Sequence, residues 1–462
     1  FQDLAVVPLL VIIPALNQPP EKLAVLLGVA MVKAVLMLAL ILVFGQRLMR
    51  KWFHFVARAK SSEVFVLNVL LITLSLATLT QLAGLSLALG ACGGSDDGTA
   101  RLSAEAALGE KMFHDVSLSA SGRQSCASCH DARFGHGSPN GLAAQLGGPG
   151  LTLQGARVAP SIRYLATAPA FHFDAEGTPT GGLFWDGRAA SLADQAKGPL
   201  LNPVEMANAS AAEVVAKLAR ADYAAEFQRL YGLDILQKPD EAFERIAQAL
   251  ARYQKEDPAF QPFSSKYDAV LRRQASLTPQ EERGLALFKD EKKGNCAACH
   301  PADKAADGSH PLFTDFTYDN LGVPRNPELA HNRDPAFFDL GLCAREGGDL
   351  TARAELCGAF KVPSLRNVAL RQALFHNGRF KTLKEALQFY VQRDTHPEKW
   401  YPRGANGEVL KFDDLPPELH GNVNTSEAPY DRVPGDAPAL TDAEIDDVIA
   451  FLKTLTDGWQ QP

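Results

Sequence analysis

Methionine is scarce in this chain, five in 462 residues, and only Met112 and Met206 stand beyond residue 91. No thioether follows residue 206, so the second half of the chain has no methionine of its own to offer a metal. Basic residues are outnumbered: Lys and Arg total 46 against 53 Asp and Glu, for a net charge of -7. With no interleaving of aromatic and basic residues either, nucleic-acid binding is excluded. Convincing strand alternation is also scarce, which points to a mainly α fold. Long apolar runs are missing after residue 91.

Before that residue they dominate. The first 91 residues carry a net charge of +4, which leaves -11 for an expected soluble, mildly acidic remainder. At this length there is room for two or three domains. The chain opens on Phe1, which reads as a fragment or a processed product. Stretches from about Leu4 to Leu16, Leu23 to Phe44 and Val64 to Ala91 predict about three transmembrane helices, the latter two long enough for a bilayer core of ~30 Å. Arg47, Arg50, Lys51, Arg58 and Lys60 mark the loop between the second and third as cytoplasmic. Everything after Cys92 is therefore expected in the periplasm of a Gram-negative cell. "LGAC", ending at Cys92, fits a lipobox with Cys92 as the lipidated residue, and residues 92–100 read as its tether. Either anchor makes the protein membrane-bound.

"FQDLAVVPLLVIIPAL" and "LITLSLATLTQLAGLSLALGA" resemble the monovalent cation:proton antiporters of the potassium-efflux type. That family carries its ion on a membrane-embedded Gln-Asp pair, matched by Gln2 and Asp3. Three spans are too few for the two interlocking bundles of a transporter, so residues 1–91 are expected to be an antiporter-like fragment with a vestigial ion site.

The chemistry is concentrated in two short motifs. "QSCASCH" contains Cys126, Cys129 and His130, and "GNCAACH" contains Cys296, Cys299 and His300. Two thiols at this spacing form thioethers with haem vinyl groups, and the adjacent histidine ligates the iron. A zinc site or a thioredoxin-like pair is the alternative. Both motifs sit in a repeat: "LSAEAALGEKMF" matches "LTPQEERGLALF" at an offset of 175, pairing Ser103 with Thr278, Gly109 with Gly284 and Phe113 with Phe288. We read two cytochrome c-like haem domains, residues 101–275 and 276–462. Ser210 with Glu213 and Thr441 with Glu444 form capping boxes of further helices. Phe243, Ile246 and Leu250 lie on one helical face, as do Ile445, Val448, Ile449, Leu452 and Leu455.

An iron closed by a second protein ligand transfers electrons, and an open one binds peroxide. With no methionine after His300, a His/Met second haem requires Met112 or Met206 to cross over. The local candidates are Tyr390, His310, His331, His376, His396 and His420, although a single tyrosine in a helix is usually packing.

From about residue 101 onwards, nearly four fifths of its length, the chain resembles the bacterial di-haem cytochrome c peroxidase and MauG family. The motifs are "CASCH", "FWDGRAASLADQAKGPLLNPVEM", "CAACH", "FKVPSLRNVALRQALFHNGRFKTL" and "FYVQRDTHPEKWYP". The resemblance implies two covalent c-type haems, a peroxidatic first domain and an electron-transfer second domain. It makes Trp185 an electron relay, Gln195 and Pro199 the lining of the peroxide pocket, Glu205 the carboxylate that assists O–O cleavage, and Tyr390 the distal ligand of the second haem. Read from residue type alone, Trp185 is equally a packed indole and Glu205 a helix cap.

Other residues are read separately. Val158 stands where the family commonly has an Asn that donates to calcium, and valine has no side-chain oxygen to give. His136 follows His130 by six residues, within reach of the first haem's edge, although a loop histidine is more often solvated or satisfied by backbone. Cys343 and Cys357 are expected to form a disulfide in the periplasm, with a pair of buried thiols as the alternative. The leading functional expectation is a peroxidase fed by a small cytochrome c or copper protein. A MauG-like oxidase of a partner's Trp or Tyr, an electron-transfer cytochrome and an antiporter with a redox appendage are the alternatives. Homodimers are common in the peroxidases, and nothing in these residues decides the point.

Overall fold

The computed structural model describes residues 102–461. Their helices are α1 (Ala104–His114), α2 (Cys126–Cys129), α3 (Leu192–Leu201), α4 (Ala211–Leu218) and α5 (Ala224–Tyr231). They continue with α6 (Pro239–Glu256), α7 (Lys266–Leu271), α8 (Pro279–Lys289), α9 (Leu383–Gln392) and α10 (Asp442–Lys453). Among the described residues, strands are limited to three two-residue antiparallel ladders: β1 (Leu146–Gly147) with β2 (Leu153–Gln154), β3 (His172–Phe173) with β4 (Pro179–Thr180), and β5 (Tyr318–Asp319) with β6 (Phe360–Lys361). The content is mainly helical, as the sequence suggested. None of the described helices is long and apolar enough to cross a membrane. The three apolar stretches, Gln2, Asp3 and the lipobox Cys92 lie outside the described residues.

The sequence repeat is a repeat of structure. The Ser103 hydroxyl caps α1 by accepting from the Ala106 amide, and the Thr278 hydroxyl caps α8 by accepting from Glu281. Glycine recurs because α1 crosses α6, and α8 crosses α10, at backbone contact. A Cβ on Gly109 would lie 2.0 Å from the Ala249 carbonyl oxygen, and one on Gly284 would lie 2.0 Å from that of Asp447. One turn further on, Phe113 and Phe288 are buried at 2% and 1% exposure, each contributing roughly 1.5–3 kcal/mol.

Among the described residues, two large hydrophobic cores follow, with smaller clusters beside them. The first gathers Leu108, Phe113, Val215, Phe227, Ile246 and Phe260. The second gathers Tyr267, Phe288, Phe313, Phe389, Ile445 and Phe451. The cores hand over between Phe260 and Tyr267, so α7 belongs with the second lobe although it precedes residue 275. Its capping box, Ser265 with Asp268, ties α7 to buried Arg366 of that lobe. Other ion pairs join distant stretches: Arg157 reaches Asp186 and Asp339, both at 2.7 Å. Cys343 and Cys357 are joined in a disulfide, which stabilises the approach to "FKVPSLRN" by roughly 3 kcal/mol on loop entropy.

Candidate haem sites

Helix α2 is a single turn whose N-cap, Ser125, exchanges hydrogen bonds with Ser128. That turn presents Cys126 and Cys129 to a cavity also lined by His130, Gln195, Pro199, Glu205 and Met206. The His130 ring is fixed by its Nδ1, which donates to the His136 carbonyl at 3.1 Å. Nε2 is thereby left as the basic atom. Burial lowers the pKa of the His130 ring, against the backbone hydrogen bonds that raise it. Burial also pushes the Cys126 thiol up to about 12. A redox-active pair needs a lowered thiol, so the thioredoxin-like alternative finds no support here. Nor do three His, Cys, Asp or Glu side chains converge anywhere among the described residues as a zinc site would require.

Glu205 lies at the end of the turn that follows α3. Asn202, the C-cap of α3, donates its Nδ2 to Glu205 Oε1 at 2.7 Å. Burial raises the Glu205 pKa, opposed by Arg188 and by the Asn202 bond. Gln195 and Pro199 come from α3 itself, one turn apart, so a single helix sets this wall of the cavity.

In the second lobe the turn Cys296–Ala298 follows Asn295, which takes a left-handed φ of 48°. His300 Nδ1 donates to the Phe313 carbonyl at 2.7 Å, and burial brings the ring's pKa down to about 4. Cys296, Cys299 and His300 share a cavity with Trp185, Lys361, Arg371, His376, Tyr390 and Tyr430. Most of the other candidate ligands are engaged elsewhere. His310 is paired with Asp268 at 2.6 Å, His331 packs on Phe337, His396 bonds Thr395 and His420 bonds the Leu415 carbonyl. His376 lies in the cavity but stacks on Phe360, with ring centroids 3.5 Å apart. Both methionines belong to the first lobe's core, and Met206 lines the first cavity, so neither crosses over. Tyr390 packs against Phe375 and Tyr430 at 5.4 and 6.0 Å.

The residues fit haem on a second count. Arg371 is half-buried at the second cavity with no carboxylate paired to it among the described residues, and desolvation pulls its guanidinium down to about 10. Lys361, pulled by burial to about 8, has its ammonium on the Gly182 carbonyl at 2.8 Å. Half-buried cations with no carboxylate bonded to them suit an anionic group such as a haem propionate. Sequence reasoning missed both, since isolated basic residues carry no motif.

Trp185 is 8% exposed and donates Nε1 to the Val158 carbonyl at 2.9 Å. The Val158 amide donates to the His376 carbonyl. Both the amide and the carbonyl of Val158 are hydrogen-bonded within the protein, and the position offers calcium no side-chain oxygen. His136 differs from expectation: it is 3% exposed, stacked on Phe260 at 4.2 Å, and its Nδ1 accepts from Arg163 Nε at 3.1 Å. The partner is 27 residues away, beyond the reach of local sequence reading.

Two CxxCH turns in like helical lobes, each with its histidine aimed by a backbone carbonyl, define a di-haem c-type protein. The family described as "Di-haem cytochrome c peroxidase" matches residues 103–276. The methylamine utilization protein MauG of Paracoccus denitrificans (strain Pd 1222) is 38% identical over 395 residues, covering 83% of this chain and 96% of that protein. The cytochrome c peroxidase Ccp of Escherichia coli (strain K12) is 30% identical over 326 residues, 70% of this chain and 59% of that one. The crystal structure of the diheme peroxidase BthA from Burkholderia thailandensis E264 superposes with a TM-score of 0.71 at 42% identity, over 78% of this chain and 87% of that one. The chain belongs to the di-haem cytochrome c peroxidase and MauG family, whose members are oxidoreductases with two c-type haems. None of these relatives is a cation:proton antiporter, so they lend no support to that reading of residues 1–91.

Proposed function

We propose that the chain is a periplasmic di-haem peroxidase that reduces hydrogen peroxide to water with electrons from a small cytochrome c or cupredoxin. The observation that carries this reading is the gathering of Gln195, Pro199 and Glu205 in the cavity of His130, while a phenol, Tyr390, stands in the cavity of His300. Cys126, Cys129 and His130 would hold one haem and Cys296, Cys299 and His300 the other, and such haems would supply peroxide binding in the first lobe and electron transfer in the second. Pro199 has no side-chain donor or acceptor and leaves its part of the wall free of a competing ligand. Gln195 offers an amide to orient peroxide. Glu205, aimed by Asn202, takes a proton from the inner peroxide oxygen and returns it to the outer one as the O–O bond breaks. Trp185, fixed through Nε1, lines the second cavity six residues ahead of the N-cap of α3 and relays electrons towards the first lobe. Each peroxide consumes two electrons and two protons and yields two waters.

A disulfide between Cys343 and Cys357 suits an oxidising compartment such as the periplasm. The second reading, a MauG-like oxidase of a partner's Trp or Tyr, draws on Tyr390 and on the 38% identity to a MauG protein. Steady-state assay of the haem-loaded protein with peroxide and reduced small cytochrome c separates them. Two donors oxidised per peroxide, sustained over many turnovers, is the expected result. Negligible donor oxidation, with Trp or Tyr of a partner protein modified instead, overturns it.

A further inference from the structure

The two histidines of the haem motifs are held by one frame with different endings. His130 donates to the His136 carbonyl and His300 to that of Phe313, and these acceptor residues both have positive φ, 52° and 56°. The residue before each acceptor is pinned by a serine: Ser161 donates to Gly135 and Ser364 to Leu312, both at 2.6 Å. Beyond this frame the lobes diverge. Phe313 ends in an apolar ring packed among Tyr267, Phe288 and Phe451. His136 instead ends in an imidazole that accepts from Arg163, and Arg163 Nη1 reaches Asp457 Oδ2 at 3.1 Å.

Asp457 follows α10 and so belongs to the second lobe. Its carboxylate is 4% exposed and also accepts from the Tyr164 hydroxyl at 2.7 Å and Asn367 Nδ2 at 2.6 Å, while its amide donates to Asn367 Oδ1 at 3.0 Å. The carboxylate is therefore held rigidly by groups of both lobes.

We infer that Asp457 is a positioning residue for the first haem's proximal ligand, acting from the second lobe through Arg163 and His136 on His130. The inference rests on His130 ligating the first haem iron. Asp457 neutralises and aims Arg163, Arg163 grips the His136 imidazole, and the loop so fixed presents the carbonyl that takes the His130 proton. Outer partners of a metal-bound imidazole set its orientation and basicity. In the second lobe the counterpart arginine, Arg366, bonds the Pro311 carbonyl and Asp268, both of that same lobe, and meets only the apolar ring of Phe313, so the carboxylate that steadies this loop is not supplied by the other lobe.

The test compares haem-loaded wild type with Asp457→Asn and His136→Phe, reading the iron–histidine stretching band of the reduced first haem and the midpoint potential of each haem. His136→Phe installs the residue that stands at this place in the second lobe. Asp457→Asn leaves the Arg163 cation uncompensated and is expected to raise the first haem's potential and move its band, with a smaller shift at the second haem, whose lobe Asp457 meets through Asn367. His136→Phe is expected to move the same band, and the double variant to add nothing beyond the larger single effect. An unmoved band in both variants, additive effects, or equal potential shifts at both haems overturns the inference. None of these readouts needs peroxide turnover, so a failed peroxidase assay is a separate result.

Discussion

Pro199 and Tyr390 occupy the same place in the two halves of the fold. Each stands eight residues beyond the N-cap of its helix, Ser191 for α3 and Thr382 for α9, and each lines the cavity of its own CxxCH motif. The stretches leading in are alike, "LFWDGRAASL" and "LFHNGRFKTL". Phe184 and Phe375 both take positive φ there, 66° and 64°, and Leu183 and Leu374 bridge to Ala189 and Phe380. One lobe thus presents a ring without donor or acceptor where the other presents a phenol.

The phenol is cheap to remove from the fold and expensive to remove from the site. The Tyr390 hydroxyl makes no hydrogen bond among the described residues, so Tyr390→Phe is expected to change stability by less than about 1 kcal/mol. Its second haem is expected to become high-spin in the optical spectrum. Tyr390→Met should restore a low-spin haem with a raised potential. An unchanged spectrum in the Phe variant would show that Tyr390 is packing.

Glu205→Gln is expected to slow the reaction with peroxide by about 10²–10⁴-fold with haem content unchanged. Burial raises the Glu205 pKa, and the proton-accepting form is the carboxylate. The wild-type rate should therefore fall with decreasing pH at a value above the ordinary glutamate pKa of ~4.3, and the Gln variant should lose that limb. Rate–pH profiles of both proteins decide it.

Asp268 carries the buried polar network of the second lobe. It accepts from Arg366 Nη1 and Nη2 at 2.9 Å each, from the Ser265 hydroxyl at 2.7 Å and from His310 at 2.6 Å. Burial alone would push its carboxyl up, but Arg366, Ser265 and His310 hold it well below the usual carboxylate range. A depressed pKa in the folded state means stability present above the unfolded value of ~3.9 and lost as pH falls below it. Asp268→Asn leaves Arg366 as an uncompensated buried cation and is expected to cost about 3–5 kcal/mol, with a shallower acid limb in denaturation experiments.

Gly109→Ala and Gly284→Ala test the repeated crossing. On an exposed helix such a change gains up to about 1 kcal/mol. Here the new methyl meets a backbone carbonyl in each lobe, and each variant is expected to lose about 1–3 kcal/mol in chemical denaturation.

Those two glycines also show what the sequence made legible. Ser103 and Thr278, Gly109 and Gly284, Phe113 and Phe288 recur because capping, close approach and core filling impose the same residue types twice. The CxxCH turns are legible for the same reason, since attachment needs both thiols and the histidine in one short run. Arg371, Lys361 and Asp457 were not legible, because each acts through partners brought near only by the fold. The equivalence of Pro199 and Tyr390 was hidden differently: the flanking repeat is present, but the paired residues themselves are unlike. His136 was misjudged because a loop of glycines and polar residues gave no sign of the Phe260 ring that buries it.

In the enzyme proposed here the His130 haem is open to peroxide while the His300 haem is closed by Tyr390. Cyanide titration of the oxidised, haem-loaded protein, followed by electron paramagnetic resonance, tests it most directly. The expected result is one high-spin haem that binds cyanide and one low-spin haem that does not. Two haems that both refuse cyanide, as in an electron-transfer cytochrome, or two that both bind it, would contradict the claim.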